Sequence, residues 1–242
     1  MIKGMEIGNR KLAVRNLFVI FLILSTVLCL LSTVYAEENP LNSLRDDIEA
    51  FFTPVKGRIV SVSDKTAVAD IGSSSKVKKG MRFTVFREGT PFIHPVTKEP
   101  LGLLEKVTGK AEVKNAGTER SDLVILSGDV KESDRIRIAE TGVRTLFYAE
   151  KNVDWSLADS YYRILKEGRF DLIDTSLETD KEADILSEAK KLNADIVLIL
   201  SAKEEGGDMV LKQKIYWSDN SEKFSEDEVK VSAAFIKEIK IG

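Results

Sequence analysis

At 242 residues, 43% hydrophobic and 31% charged, the chain has the make-up of a globular protein with room for one large or two small domains. Its single cysteine, Cys29, falls in an apolar amino-terminal run, so the rest of the chain can form neither a disulfide nor a cysteine-ligated zinc site. The formal charge is -3, and residues 1–36 supply +3 through Lys3, Arg10, Lys11 and Arg15 against Glu6, which leaves -6 on the remainder. An acidic body argues against sequence-independent binding to nucleic acid or anionic lipid, since both need clustered positive charge.

Met1–Asn16 is polar and basic, Leu17–Leu31 is almost wholly apolar, and Val34-Tyr35-Ala36 offers small residues where a signal peptidase cuts. Residues 1–36 therefore read as a secretory signal peptide and place the protein in the periplasm. The alternative is an uncut inner-membrane anchor over residues 17–35, a run long enough to span a bilayer. Leu28 stands before Cys29 where a lipoprotein needs a small residue, which argues against lipidation.

Residues 37–54 are assigned to a lead-in helix and linker. Leu44, Ile48, Phe51 and Phe52 recur at helical spacing until Pro54 forbids continuation. The helix is expected to pack on the domain that follows. Its polar face sets Arg45 against Asp46, Asp47 and Glu49, unlike the basic face of a membrane-surface helix.

Residues 55–140 alternate apolar and polar residues in short runs broken by glycine, which predicts a small antiparallel β-barrel. Its centre is Val77–Phe86, where Phe83 and Val85 face one side of a strand and Arg82 and Thr84 the other. A weaker copy returns at Val130–Ile138, where Ile136 and Ile138 alternate with Arg135 and Arg137. The stretch Glu88–Gly102 holds three of the five prolines and predicts a long loop or a wide excursion between strands. Strands are expected to follow at Leu103–Lys106, Gly109–Lys114, Asp122–Leu126 and Arg135–Ile138.

Taken together, Gly57-Arg58-Ile59-Val60, Ala69-Asp70-Ile71-Gly72, Val77–Phe83, His94–Gly102 and Val130–Ile138 resemble the carboxy-terminal domain of flagellar assembly protein T. The resemblance covers about a third of the chain and implies a ring-associated, non-catalytic role, with contacts made by barrel loops such as Phe92–Pro100.

Residues 141–242 change to alternating strands and helices. A strand is expected at Val143–Ala149, then a helix capped by Ser156 with Leu157, Tyr161, Ile164 and Leu165 inward, and a strand at Phe170–Asp174. A second helix starts at Thr179 and Glu182 with Ile185, Leu186, Ala189 and Leu192 inward, followed by a strand from Ala194. Gly206-Gly207-Asp208 and Asp219-Asn220-Ser221 then turn two antiparallel strands, Met209–Trp217 and Val229–Ile236. The fold class is α+β in two domains: a small antiparallel β-barrel, then an α/β sandwich with two helices covering one side of a mixed sheet. Leu165–Thr175 with Leu192–Leu198 is similar to the amino-terminal domain of the Tol-system propeller protein; similar domains occur in the curli secretion lipoprotein and in the middle of flagellar assembly protein T.

Chemistry is sparse. The single histidine, His94, stands beside Pro95 in the proline-rich stretch, with no nucleophile assigned to it. Adjacent carboxylates such as Asp46 and Asp47, or Glu204 and Glu205, do not face one another on a helix or strand. Asp219–Glu222 is too short for a calcium loop, and no glycine-rich phosphate cradle follows a strand. No catalytic residue, metal or cofactor is therefore assigned. The candidate contact residues are Phe92, His94 and Pro95, with Trp155 and Trp217; one of Tyr161 and Tyr162, and one of Tyr216 and Trp217, is expected to point outward.

The resulting expectation is a non-enzymatic exported protein that helps assemble or stabilise a periplasmic machine, with the flagellar basal body as the specific candidate. Its partners would be other envelope or basal-body proteins or a second copy of itself. Nucleic acid is not among them, and a membrane is met only through an uncut leader. The alternative is a peptide-binding or sensing module that adds a strand to the α/β sheet edge; a carboxylate hydrolase has no positive feature in the sequence.

Overall fold

The computed structural model describes residues 39–138 and 142–241. The expected signal peptide and its cleavage site, and the join at residues 139–141, lie outside the described residues.

The chain first lays down helix α1 (Pro40–Glu49), continued by a 3-10 turn over Ala50–Phe52. Proline suits the first helical position, where no backbone donor is required. Leu41, Leu44 and Ile48 form the buried stripe. That stripe packs on the α/β sheet and not, as expected, on the barrel: its residues belong to the cluster of Leu157, Tyr161, Leu198 and Leu211. Two hydrogen bonds fix the docking, from Gln213 Nε2 to Leu44 O at 3.0 Å and from Arg169 to Phe52 O at 2.7 Å. A helical stripe states which face is buried but not what covers it, and the sheet supplies the larger apolar face.

Six strands then form the barrel: β1 (Lys56–Ser63), β2 (Thr66–Ala69), β3 (Arg82–Ile93), β4 (Pro100–Ala116), β5 (Ser121–Gly128) and β6 (Arg135–Arg137). All pairings are antiparallel in the closed order β1-β2-β5-β4-β3-β6, with β6 returning to β1. Period-two alternation puts Ile59, Phe83, Val85, Val113, Leu123 and Ile136 inside. Gly128, at φ +94°, lets β5 end against β4, where a Cβ would lie 1.9 Å from Thr108 O. The strand centred on Phe83 starts at Arg82, and the weaker copy contributes only the short β6. Of the two forms expected for Glu88–Gly102, a long loop or a wide excursion between strands, the stretch takes the second as the far end of a hairpin, since Pro91 pairs with Leu103 and Pro100 with Ile93. Proline forbids only a ladder donor, and a two-stranded ribbon has open edges where a missing N–H costs nothing.

The second layer system holds β7 (Val143–Ala149), α2 (Trp155–Glu167), β8 (Phe170–Ile173), α3 (Glu182–Lys191), β9 (Ile196–Glu205), β10 (Asp208–Trp217), β11 (Lys223–Val231) and α4 (Ala233–Ile241). The sheet order is β11-β10-β9-β7-β8, with β7 parallel to both β8 and β9 and the rest antiparallel. The crossover from β7 to β8 and the crossover from β8 back past β7 to β9 run in opposite directions across the sheet, and right-handed connections then put α2 and α3 on opposite faces. Ile196, Leu198 and Leu200 accordingly face α1, α2 and α4, while Val197 and Ile199 face α3. The expected mixed sheet with two crossover helices is present, but both faces are covered rather than one.

Local starts and stops differ from expectation in three places. Asp154, not Ser156, caps α2 by accepting from Ser156 N at 3.0 Å. Helix α3 begins at Glu182, with Thr179 upstream accepting from Lys181 N. The last strand ends at Val231; Ser232 then accepts from Phe235 N, and α4 packs Phe235, Ile236 and Ile239 on the α2 face.

Barrel and α/β layers belong to one compact unit, residues 40–242. Arg82 of β3 donates to Glu112 Oε2 at 2.6 Å and to Asp219 Oδ1 at 2.8 Å, with its guanidinium 4.3 Å from the centroid of Trp217. Trp217 stacks on Phe224, and Phe51, Phe52 and Phe170 complete an edge-to-face aromatic cluster. Gly80, at φ +87°, brings the barrel to Phe224, 3.3 Å from where its Cβ would sit.

Candidate protein-interaction surface

Strands β3 and β4 outrun their barrel. β6 pairs with β3 only over Thr84–Phe86, and β5 pairs with β4 only from Gly109 onward. Among the described residues, 88–93 and 100–107 therefore pair only with each other and project as a two-stranded arm about 20 Å long at strand rise.

The base of the arm is held by charge. Arg87 donates to both oxygens of Asp134, at 2.7 and 2.9 Å, and Asp134 also accepts from Lys131 N at 2.8 Å and from Thr108. Burial pushes the Asp134 carboxyl up, but those hydrogen bonds outweigh it and hold the group below the usual carboxylate range. Arg135 pairs with Glu88 at 2.5 Å, and Arg137 with Glu105 at 2.8 Å while stacking over Phe86.

The tip is a stitched turn. His94 N donates to Glu99 O at 2.9 Å, Lys98 N to His94 O at 3.0 Å, and Thr97 N to the imidazole Nδ1 at 3.0 Å. Accepting at Nδ1 leaves the ring proton on Nε2, so His94 acts as a turn-forming side chain here.

Between base and tip the arm is apolar and bare. Phe92, Ile93, Val96, Leu101, Leu103, Leu104 and Val107 are 46–81% exposed, and Leu126 of β5 is exposed as well. Among the described residues, Trp155 is the one other exposed large apolar side chain, at 78%. Single exposed apolar residues are ordinary; a contiguous set on one projection marks a contact surface.

Of the residues expected to make contacts, Phe92, His94 and Pro95 come together on the arm. Trp155 stands apart at the first position of α2. Trp217 is 6% exposed inside the aromatic cluster, and its neighbour Tyr216 is 5% exposed on the other face. The expectation that one of this pair points outward fails because the sheet is covered on both sides. The other pair behaves as expected: Tyr161 is buried, and Tyr162 is part-exposed with its hydroxyl on Asp174. Ile93 and Val96 lie within the Phe92–Pro100 segment expected to make contacts, whereas the Leu101–Val107 run beside it was not anticipated as contacts. Its signal was present, since apolar residues at successive positions 103 and 104 cannot share one face of a strand.

A cleft of about 570 Å³ lies between barrel and α/β layers, lined by Arg82, Lys110, Lys190, Asp195, Trp217 and Asp219. Its carboxylates are committed: Asp195 accepts from Arg144 N at 3.0 Å, and Asp219 from Arg82 and Asn220 N. Burial raises the Asp219 carboxyl, but the Arg82 hydrogen bond and charge hold it below its ordinary value. Among the described residues, no group of three or more His, Cys, Asp or Glu is placed to hold a metal ion, and no helix is long and apolar enough to cross a membrane.

No family model and no curated protein matches the chain. Among solved structures it is similar to the LpoB carboxy-terminal domain from Salmonella enterica, at 14% identity and a TM-score of 0.34, covering 39% of this chain and 85% of that one. Lipoprotein GNA1162 from Neisseria meningitidis matches at 16% identity and a TM-score of 0.31, over 37% of this chain and 80% of its own. TolB from Acinetobacter baumannii matches at 12% identity and a TM-score of 0.33, over 40% of this chain and 25% of its own. Scores of this size carry no functional inference. Flagellar assembly protein T is not among these three, so that resemblance rests on the quoted residues.

Proposed function

We propose that this is a non-enzymatic cell-envelope protein that engages other proteins through the arm of β3 and β4. The observation that carries the reading is the run of exposed apolar side chains between Phe92 and Val107 on a projection fixed at both ends. The leader over residues 1–36 supports export to the periplasm, with an inner-membrane anchor as the alternative. The more specific role is assembly or stabilisation of a periplasmic machine such as the flagellar basal body. It draws support from the resemblance at residues 94–102, which fall on the arm.

The α/β sheet offers less for strand addition. Its β8 edge is four residues long, and its β11 edge alternates Glu226, Glu228 and Lys230, charges that discourage pairing.

The test is a photo-reactive residue in place of Phe92 or Val96 in a carboxy-terminally tagged chain, followed by fractionation of the native cell. Protein adducts in the envelope fraction are expected, enriched with basal bodies in a flagellated host. Adducts without that enrichment overturn the flagellar role alone. A cytoplasmic protein without adducts overturns the reading.

A further inference from the structure

Among the described residues, two buried side-chain nitrogens have no hydrogen-bond partner, Arg82 Nη2 and Trp217 Nε1, and both residues line the cleft between barrel and α/β layers. Trp217 is 6% exposed and the Arg82 side chain 11%. Neither a guanidinium nor an indole N–H can accept a hydrogen bond, so only an acceptor satisfies them. A buried donor left unpaired costs stability, and two beside one opening mark a place for an oxygen from outside the chain.

The bonds that Arg82 does make show why Nη2 is left over. Glu112 takes Nε through Oε2 alone, and Asp219 takes Nη1 through Oδ1 alone. The same Asp219 oxygen accepts from Asn220 N at 2.7 Å, which ties it to the turn between β10 and β11. A guanidinium favours a carboxylate that offers both oxygens, and neither resident carboxylate does. Of the two, Asp219 is the exposed one, at 61% against 17% for Glu112. Exchanging it for the carboxylate of a ligand leaves the local charge unchanged.

The rest of the cleft suits the same ligand. Lys110 and Lys190 stand in its wall without an ion pair at bonding distance among the described residues, whereas Asp195 and Asp219 already accept from Arg144 N and Arg82. Unmatched donors therefore outnumber unmatched acceptors. Phe52, Phe83, Ile138 and Val143 add an apolar wall, and the volume of about 570 Å³ falls within the roughly 300–1,000 Å³ of small-ligand pockets.

We propose that this cleft binds a small organic carboxylate, whose oxygens take Arg82 and the Trp217 indole N–H in exchange for Asp219 while Lys110 and Lys190 hold its charge. A free acid and a peptide carboxy terminus share this chemistry. The site is separate from the arm and does not depend on the reading of the arm.

Trp155→Phe leaves Trp217 as the one tryptophan of the chain, so its indole N–H proton resonance reports the site directly. In the purified protein, acetyl-dialanine or benzoate should shift that resonance saturably, and the carboxamide of acetyl-dialanine should not. Tighter binding of the dipeptide assigns the site to a peptide terminus, and tighter binding of benzoate to a free acid. Asp219→Ala removes the resident competitor and should tighten binding about threefold, while Lys110→Ala with Lys190→Ala should weaken it about fivefold, both with native circular dichroism. A resonance that neither acid moves, an equal response to the carboxamide, or binding that Asp219→Ala weakens or leaves unchanged overturns the proposal.

Discussion

The aromatic seam and the arm are built from the same kinds of residue and end in opposite states. At the seam, Phe51, Phe52, Phe170, Trp217 and Phe224 find partners within the chain, and Arg82 covers them while bridging Glu112 and Asp219. On the arm, Phe92, Leu101, Leu103 and Leu104 find none among the described residues. Both regions are fixed by arginine–carboxylate pairs, so the exposure of the arm is not looseness: Arg87 and Asp134 anchor its base as Arg82 anchors the seam. The comparison separates apolar surface that closes the fold from apolar surface that the fold presents.

Substitutions should divide along that line. The largest effect is expected for Trp217→Ala, which empties the centre of the seam and should cost about 3–5 kcal/mol of stability in denaturant titrations. Arg82→Ala comes next, at about 2–3 kcal/mol, because Glu112 is left part-buried without its donor; urea unfolding reads it directly. Asp154→Ala removes the α2 cap and should cost about 1 kcal/mol.

Asp154 also carries a pH signature. Its carboxyl is held down to about 2 by the Lys240 ammonium and by Ser156, from an ordinary 3.8. A depressed folded value means that its contribution is complete above 3.8 and is lost as pH falls toward 2. Asp154→Asn should flatten that part of an acid-unfolding curve followed by circular dichroism. The smallest effect is expected on the arm, where Leu103→Ser and Leu104→Ser should change stability by no more than about 0.5 kcal/mol, measured by thermal melting. A large loss there would place the arm with the seam as part of the core.

Much of the fold was legible where one face of an element is buried. Alternation at Phe83 and Val85 gave the barrel strand, and the spacing of Leu157, Tyr161 and Leu165 gave α2, because each pattern reports a single covered face. Partners were not legible: Leu41, Leu44 and Ile48 declare a buried stripe, yet only the assembled sheet shows that β10 and β11 receive it. Trp217 was misjudged for the same reason, since a strand covered on both sides buries both members of a consecutive pair. On the arm, Phe92, His94 and Pro95 were readable as an unusual segment. Pro91, Pro95 and Pro100 hid its strands, and the strand expected at Leu103–Lys106 carried no sign that it leaves the barrel.

The most direct measurement is the native-gel mobility of the tagged protein in a mildly solubilised envelope fraction, wild type beside Leu103→Ser/Leu104→Ser. The arm account predicts a wild-type complex larger than the single chain and a variant that runs as a folded single chain at equal abundance. Identical mobility of the two would contradict it.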